Sequence, residues 1–547
     1  MQSDAAHYGK VFIQAQADFG GRHAIERKRH RGRLQRCVAS IVQRHAGNGA
    51  QPVDQASSQD RLLPPQRLDA LFQHPAHAGP QPGQPVVMRG GIVLTMDAQH
   101  TVLPEGDVLV VDGKIADVGV GLDVPAGTFE IDARGGIVMP GMIDSHRHMW
   151  QTAMRAYGAD WTLTQYFVWY YLEHGMKFRP QDVAAGNRIS ALDAVESGIT
   201  TSVDWSHGLR TPEHGEAAFD ALAGSPGRYV LAYGNLAVAP WEWTADPAVQ
   251  RVVERARDDS RMFGAQLAFD VPGDDGFPEG AAFKVAKDLG VSVTTHAGVW
   301  GATGDRGIDM MWEHGVMEPG TVYVHAATLS DDSYQKIAAT GGVASLSTES
   351  EQTCGQGYPP AAALRRHGIP ASLSIDTSVW FSADMFSAMR TTIGADRSLE
   401  HYIAHQSDQT VTHATLRVED VVAWATRGGA EAIGKLDQIG SLEKGKLGDV
   451  VLIKNDHSPT MVPIVNPYGH VVYQAQRGDV HTVLVGGEAV KWDGRLCAGD
   501  LPAVRGELEN TIEYLRSELG EETWRAGMYP EIPEKEILEN PYQYRKD

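Results

Sequence analysis

From Val86 onward, short apolar runs alternate with polar turns, and their spacing determines the kind of molecule the chain builds. Residues 86–95 (VVMRGGIVLT) and 107–115 (DVLVVDGKI) read as short strands joined by Gly and Asp turns. The same texture returns at 448–453 (GDVVLI) and 482–487 (TVLVGG). Two β-rich stretches bracketing a long middle predict one small β domain assembled from both sides of a larger one. In that middle, apolar strands alternate with helical stretches. Strands are expected to begin near Ile137, Thr200, Tyr229, Ala265, Val291, Val322, Val343 and Ala371. After the first gap the starts are about 20 to 35 residues apart, as a strand, a helix and two short loops require. Eight such units close a barrel. The fold class expected is therefore α/β: a (β/α)₈ TIM-like barrel with a small β-sandwich formed from segments on both sides of it.

The expected divisions are 86–136 and 436–499 for the two parts of the sandwich, 137–435 for the barrel and 500–547 for a helical tail. Within the tail, residues 504–519 carry helical periodicity. The long first gap of the barrel holds an aromatic-rich insert over residues 150–178. Residues 1–85 differ from the rest, being rich in Gln, Arg, His and Pro, with 11 Lys and Arg against 6 Asp and Glu. Such composition buries too little apolar surface to fold, so the segment is expected to be disordered or extraneous, with Met88 a plausible start. The alternative is a basic arm centred on residues 27–31.

Composition narrows the functional classes. The 547 residues carry a formal charge of −21, which argues against a nucleic-acid partner, since phosphate binding needs clustered Lys and Arg. No apolar run of about 18 residues and no secretory leader pattern appear, so the expected location is the cytoplasm, away from any membrane. Cys37, Cys354 and Cys497 are too few and too scattered for a disulfide framework or a thiolate metal cage.

The sharpest chemical feature is an apolar strand ending in His-x-His, MPGMIDSHRH over residues 139–148. Residues two apart in a strand project to one face, so His146 and His148 can direct both imidazoles at one ion. His296 closes the apolar strand 291–295, and His325 closes 321–324. Asp376 follows strand 371–375, where a buried carboxylate must be paired or bound to metal. All five fall at the C-terminal ends of barrel strands, where active sites of such barrels lie.

This order of motifs, followed by GSLEKGKLGDVV at 440–451, resembles the amidohydrolase superfamily. It is most similar to the branch containing cytosine deaminase, guanine deaminase and the triazine hydrolases, to which hydrolases of phenylureas and thiocarbamates also belong. The resemblance implies one divalent cation held by His146, His148, His296 and Asp376, with zinc favoured over iron, cobalt or manganese. It also implies that Asp376 moves the proton and that His325 orients the attacking water or stabilises the oxyanion. The expected partner is a small-molecule substrate, and by analogy the protein is expected to form a homo-oligomer.

Deaminases of this branch carry Glu three residues after the fifth-strand His, and here that position is Val299. The leading expectation is therefore hydrolysis of a non-peptide carbon–nitrogen bond in an aromatic amide, urea or carbamate. Deamination of a purine, pyrimidine or triazine-like ring stands as the alternative, and a non-enzymatic binding barrel as a third reading. Candidates for the substrate pocket are Glu349 in the segment 347–351, Asp204 and His207 after the second strand, Trp150 and Gln151 in the insert, and Trp300 and Trp380 beyond two other strands.

Overall fold

The computed structural model describes residues 79–273, 276–299 and 304–530, so the expectation for residues 1–78 lies outside the described residues. Strands β1 (Val86–Leu94), β2 (Val102–Val111) and β3 (Lys114–Gly119) form an antiparallel meander. The β2–β3 turn is the dipeptide Asp112-Gly113. Both residues sit at positive φ (50° and 74°), the geometry that lets a two-residue hairpin follow strand twist. Strands β4 (Phe129–Asp132) and β5 (Ile137–Pro140) then run parallel to β1.

The barrel follows as β6 (Met142–Arg147), β7 (Ile199–Ser206), β8 (Arg228–Tyr233), β9 (Gly264–Ala268), β10 (Ser292–Ala297), β11 (Val322–His325), β12 (Val343–Leu346) and β13 (Ala371–Leu373). These strands are parallel and neighbour one another in sequence order. Strands β14 (Val450–Ile453), β15 (Val480–Val485), β16 (Glu488–Trp492) and β17 (Arg495–Leu496) return to the first sheet. That sheet curls until the β2–β3 turn meets residues 446–448, where Gly448 N–H donates to the Gly113 carbonyl at 2.8 Å. Its two ends share one apolar core containing Val108, Val110, Ile115, Val450 and Leu484.

Seven of the eight expected barrel strands begin within one residue of the positions read from the apolar runs. The first does not. Residues Ile137–Pro140 pair antiparallel with β14 in the small sheet, and the barrel begins at Met142. Gly141 is the joint. A Cβ there would lie 2.1 Å from Thr200 Oγ1, so only glycine lets the chain pass this close to β7 as it changes sheets.

Barrel closure rests on the ends of β6 and on the segment just beyond β13. Asp376 N–H donates to the His146 carbonyl at 3.0 Å, and His148 N–H donates to the Asp376 carbonyl at 2.7 Å. Below this, part of the interior is a hydroxyl network instead of branched apolar side chains: Ser145 lies 2.7 Å from both Ser345 and Ser372. These hydroxyls satisfy one another where no water is needed.

The aromatic insert runs as short 3₁₀, α- and π-helical turns with Trp150, Trp161, Tyr166 and Tyr170 buried in the main core. The tail helix spans Leu501–Leu519, starting earlier than the periodicity indicates because the Asp500 carboxylate caps it by accepting from Ala503 N–H. A second helix, Glu521–Met528, covers the insert. Tyr157 OH donates to the Trp524 carbonyl at 2.6 Å and Trp161 Nε1 to the Gly527 carbonyl at 2.8 Å. Among the described residues no helix is long and apolar enough to cross a membrane.

Candidate metal centre

The side chains of His146 and His148 leave β6 on one face, and Arg147 between them points away from it. Asp376 Oδ1 lies 3.5 Å from His146 Nε2 and 3.2 Å from His148 Nε2. His146, His148 and Asp376 offer ligand atoms that all lie within 4.8 Å of one another, and so do His146, His296 and His325. The five residues expected from the strand ends therefore meet in one cluster, with His146 common to both groups.

His325 and Asp376 adopt left-handed backbone conformations, at φ 69° and 66°. Non-glycine residues held there cost about 1 to 3 kcal/mol each and persist only where surroundings over-determine them.

The donor set fits a divalent cation. His146 Nε2 is buried with no hydrogen-bond partner closer than the 3.5 Å contact to Asp376 Oδ1, as a lone pair facing an ion would be. His148 Nδ1 lies 2.8 Å from the Trp205 carbonyl, so Nδ1–H donates there and Nε2 is left to face Asp376. His296 makes the equivalent contact from Nδ1 to Asp270 Oδ1, at 2.8 Å. Metal-ligating histidines are oriented by such partners on the second ring nitrogen. Burial lowers the His146 pKa and takes that of His148 down to about 4, so both rings are neutral near pH 7. For Asp376 burial opposes charge, but the His146 contact and the neighbouring histidines outweigh it and hold the carboxyl well below the usual range. Burial opposes charge on His296, but the Asp270 and Asp376 carboxylates raise its pKa; neutral His146 and His148 with an ionised carboxylate suit zinc and its neighbours in the first transition row.

The helix Thr348–Cys354 supports the cluster from beyond β12. Glu351, fully buried, accepts from His325 Nδ1 at 3.3 Å and from Ser347 N–H at 2.7 Å. Ser350 Oγ donates to Asp376 Oδ2 at 2.5 Å. Glu349, the carboxylate singled out from the sequence, instead accepts from the Ser387 hydroxyl, away from the histidines. The segment looks like a strand end, in which 347, 349 and 351 would share a face. Because the chain turns helical at Thr348, adjacent residues 350 and 351 reach the cluster instead. Asp270, missed in the sequence, carried the same signal as Asp376: a carboxylate just beyond an apolar barrel strand.

The other candidates occupy distinct places. Asp204 is wholly buried behind β6, accepting from Met149 N–H at 3.1 Å and from Asn187 Nδ2 at 3.0 Å, and burial lifts its pKa to about 7. His207 stacks on His148 with ring centroids 4.0 Å apart and accepts from Trp150 Nε1 at 3.1 Å. Trp150 itself is buried in the core. Gln151 donates to the Tyr166 hydroxyl at 2.7 Å and accepts from Thr377 Oγ1 at 2.6 Å, linking the insert to the residue after Asp376. Trp380 packs against Tyr166 at 5.1 Å between centroids, and its indole nitrogen is buried without a partner. Val299 packs against the main apolar core. Trp300 lies outside the described residues.

Four histidines and an aspartate gathered at the C-terminal strand ends of a (β/α)₈ barrel form a site equipped to hold a divalent cation. The chain belongs to the amidohydrolase family, whose profile matches residues 137–490. It is 25% identical over 457 residues to a 5'-deoxyadenosine deaminase of Methanosarcina mazei, covering 79% of this chain and 98% of that protein. Its fold is shared with an adenosine deaminase from Xanthomonas campestris solved with bound zinc (TM-score 0.68, 20% identity, 80% and 100% coverage). The same holds for the zinc complex of an atrazine chlorohydrolase from Arthrobacter aurescens (TM-score 0.66, 22% identity, 79% and 100% coverage). The protein is a hydrolase acting on carbon–nitrogen bonds other than peptide bonds, and its clustered histidines and aspartate are candidate ligands for a divalent metal.

Proposed function

We propose that one zinc ion is held by His146, His148, His296 and Asp376, and that the enzyme hydrolyses an amide, urea or carbamate bond in a small aromatic molecule. The observation that carries the choice of bond is Val299. At the position where related deaminases hold the glutamate that protonates a ring nitrogen, this chain presents an apolar, partly buried side chain packed against the core. An acyl carbon needs no ring protonation.

Held by His146, His148, His296 and Asp376, a divalent cation would supply the Lewis acidity that makes water nucleophilic near pH 7. Everything else falls to the side chains. Ser350 fixes the plane of the Asp376 carboxylate through Oδ2 and leaves Oδ1 toward His146 and His148. Asp376 accepts the proton of the attacking water and returns it to the leaving nitrogen, which departs as an amine. Glu351 accepts from His325 Nδ1, so His325 Nε2 carries the lone pair, which lies 3.4 Å from the Gln356 amide nitrogen and can also accept from the water. Tyr166 and Trp380 pack against each other, and Tyr166 and Thr377 both bond Gln151, so aromatic side chains stand close to the residue after Asp376 and favour a flat substrate.

The similarity to deaminases over nearly the whole length of one relative favours a second reading, release of ammonia from an amino-heterocycle such as 5'-deoxyadenosine. The two separate cleanly. Zinc-loaded protein is incubated with aryl amides, ureas and carbamates, and in parallel with amino-purines, amino-pyrimidines and amino-triazines, following amine and ammonia release. Amine release from the first panel is expected. Ammonia from the second panel alone would refute the acyl reading, and activity toward neither would refute both.

A further inference from the structure

Arg147 stands between the two histidines of the His-x-His pair, and its side chain is 0% exposed. Strand alternation turns it out of the barrel toward the helix Pro180–Glu196, where Nη2 lies 3.1 Å from Asp193 Oδ2. The same Nη2 donates to Ser378 Oγ at 2.9 Å, two residues beyond Asp376. Asp193 also accepts from Ala383 N–H at 3.0 Å, further along that segment. A buried cation on the first strand thus grips the chain on both sides of its own closure with the eighth.

We propose that Arg147 is a positioning residue: with Asp193 and Ser378 it clamps the ends of β6 and β13 together and so sets the spacing of His146, His148 and Asp376. The inference rests on the metal-centre reading above and goes beyond it. The need for a clamp is visible in the backbone. Strand β13 has three residues and stops at Leu373, so Asp376 lies outside its ladder in a left-handed conformation. Two backbone hydrogen bonds to β6 and its exit hold it from the inner side, through His146 and His148. The Arg147 pair supplies the restraint from the outer side.

A buried ion pair is a poor device for raw stability, because desolvation offsets most of the attraction. Here Arg147 Nε and Nη1 are buried with no partner, which adds to its cost. Asp193 does not depend on Arg147 for compensation, since Arg155 (3.1 Å) and Arg477 (2.9 Å) also pair with it. Removing Arg147 therefore leaves Asp193 paired with two other cations, and what the variant loses is the restraint on the site.

The test uses the full chain with Arg147→Met, which keeps most of the apolar volume and removes the donors, and Ser378→Ala, which removes one hydroxyl. Zinc affinity is measured by competition with a chelating dye, and metal-free protein is melted in parallel. Arg147→Met is expected to weaken zinc binding by about tenfold or more, the scale seen for lost ligand-orienting partners, with the metal-free melting temperature held within about 3 °C. A loss below about threefold overturns the clamp. Should Arg147→Met fail to fold, Ser378→Ala decides: weakened binding supports the clamp, and unchanged binding overturns it. A wild-type chain that takes up no divalent cation refutes the metal centre itself, and the clamp falls with it, a result distinct from equal affinity in wild type and variant.

Discussion

Asp270 offers a direct test of how the histidines are held. Its Oδ1 accepts from His296 Nδ1 at 2.8 Å and from His296 N–H at 3.3 Å, so one oxygen sets both the ring and the backbone of that residue. A hydrogen bond to a charged group is worth about 1.5 to 3 kcal/mol. The Asp270 side chain is 38% exposed, so solvent screening places this one at the low end, about 1.5 kcal/mol. Asp270→Ala frees the ring to rotate and to place its proton on either nitrogen. The loss therefore falls on metal affinity, by about tenfold, because 1.4 kcal/mol is a factor of ten. Asp270→Asn keeps an oxygen acceptor and loses the charge, so a smaller drop of about threefold is expected. Chelator competition at fixed pH and ionic strength measures both, with circular dichroism as the check on fold. Wild-type affinity in Asp270→Ala would refute the reasoning, as would a ranking in which Asn is the worse of the two.

The remaining predictions are briefer. Glu351→Gln should lower kcat/KM by about tenfold, because Glu351 orients His325, whereas Glu349→Gln should stay within about twofold of wild type; equal effects would count against the assignment. Gly186→Ala should destabilise the fold by about 1 to 3 kcal/mol in urea titration, since its Cβ would lie 2.0 Å from the Trp150 carbonyl oxygen, and an undiminished midpoint contradicts this. For Asp193, burial opposes charge, but Arg147, Arg155 and Arg477 prevail and hold its carboxyl well below the usual range. The unfolded chain then binds more protons at Asp193 in acid, so this contribution to stability is complete above about pH 5 and is lost as the pH falls below about 4. Unfolding measured between pH 3 and 6 should accordingly show a shallower acid-side decline in Asp193→Asn, and parallel slopes would exclude the effect.

Much of the architecture was legible because barrel strands are uniformly apolar and bounded by turn residues. Seven strand starts could be read from that contrast alone. The Ile137 run misled for the same reason: β5 and β6 are both buried, so the pattern does not change where the chain crosses between sheets at Gly141. The five polar residues of the cluster were legible because ionisable groups are costly at the ends of buried strands without a partner. Glu351 was passed over because its position depends on where a helix starts after β12, a boundary that local pattern leaves loose by a residue or two.

By itself, then, the order of residues determined which elements form and which side chains are chemically equipped, because burial periodicity and residue type are local properties. Tertiary structure alone decided that Asp270 holds His296, that Glu351 and not Glu349 meets His325, and that Arg147 reaches Asp193 and Ser378. These contacts join residues from 26 to 231 positions apart. Closing a barrel brings them together, and no local pattern encodes the distance between its strand ends.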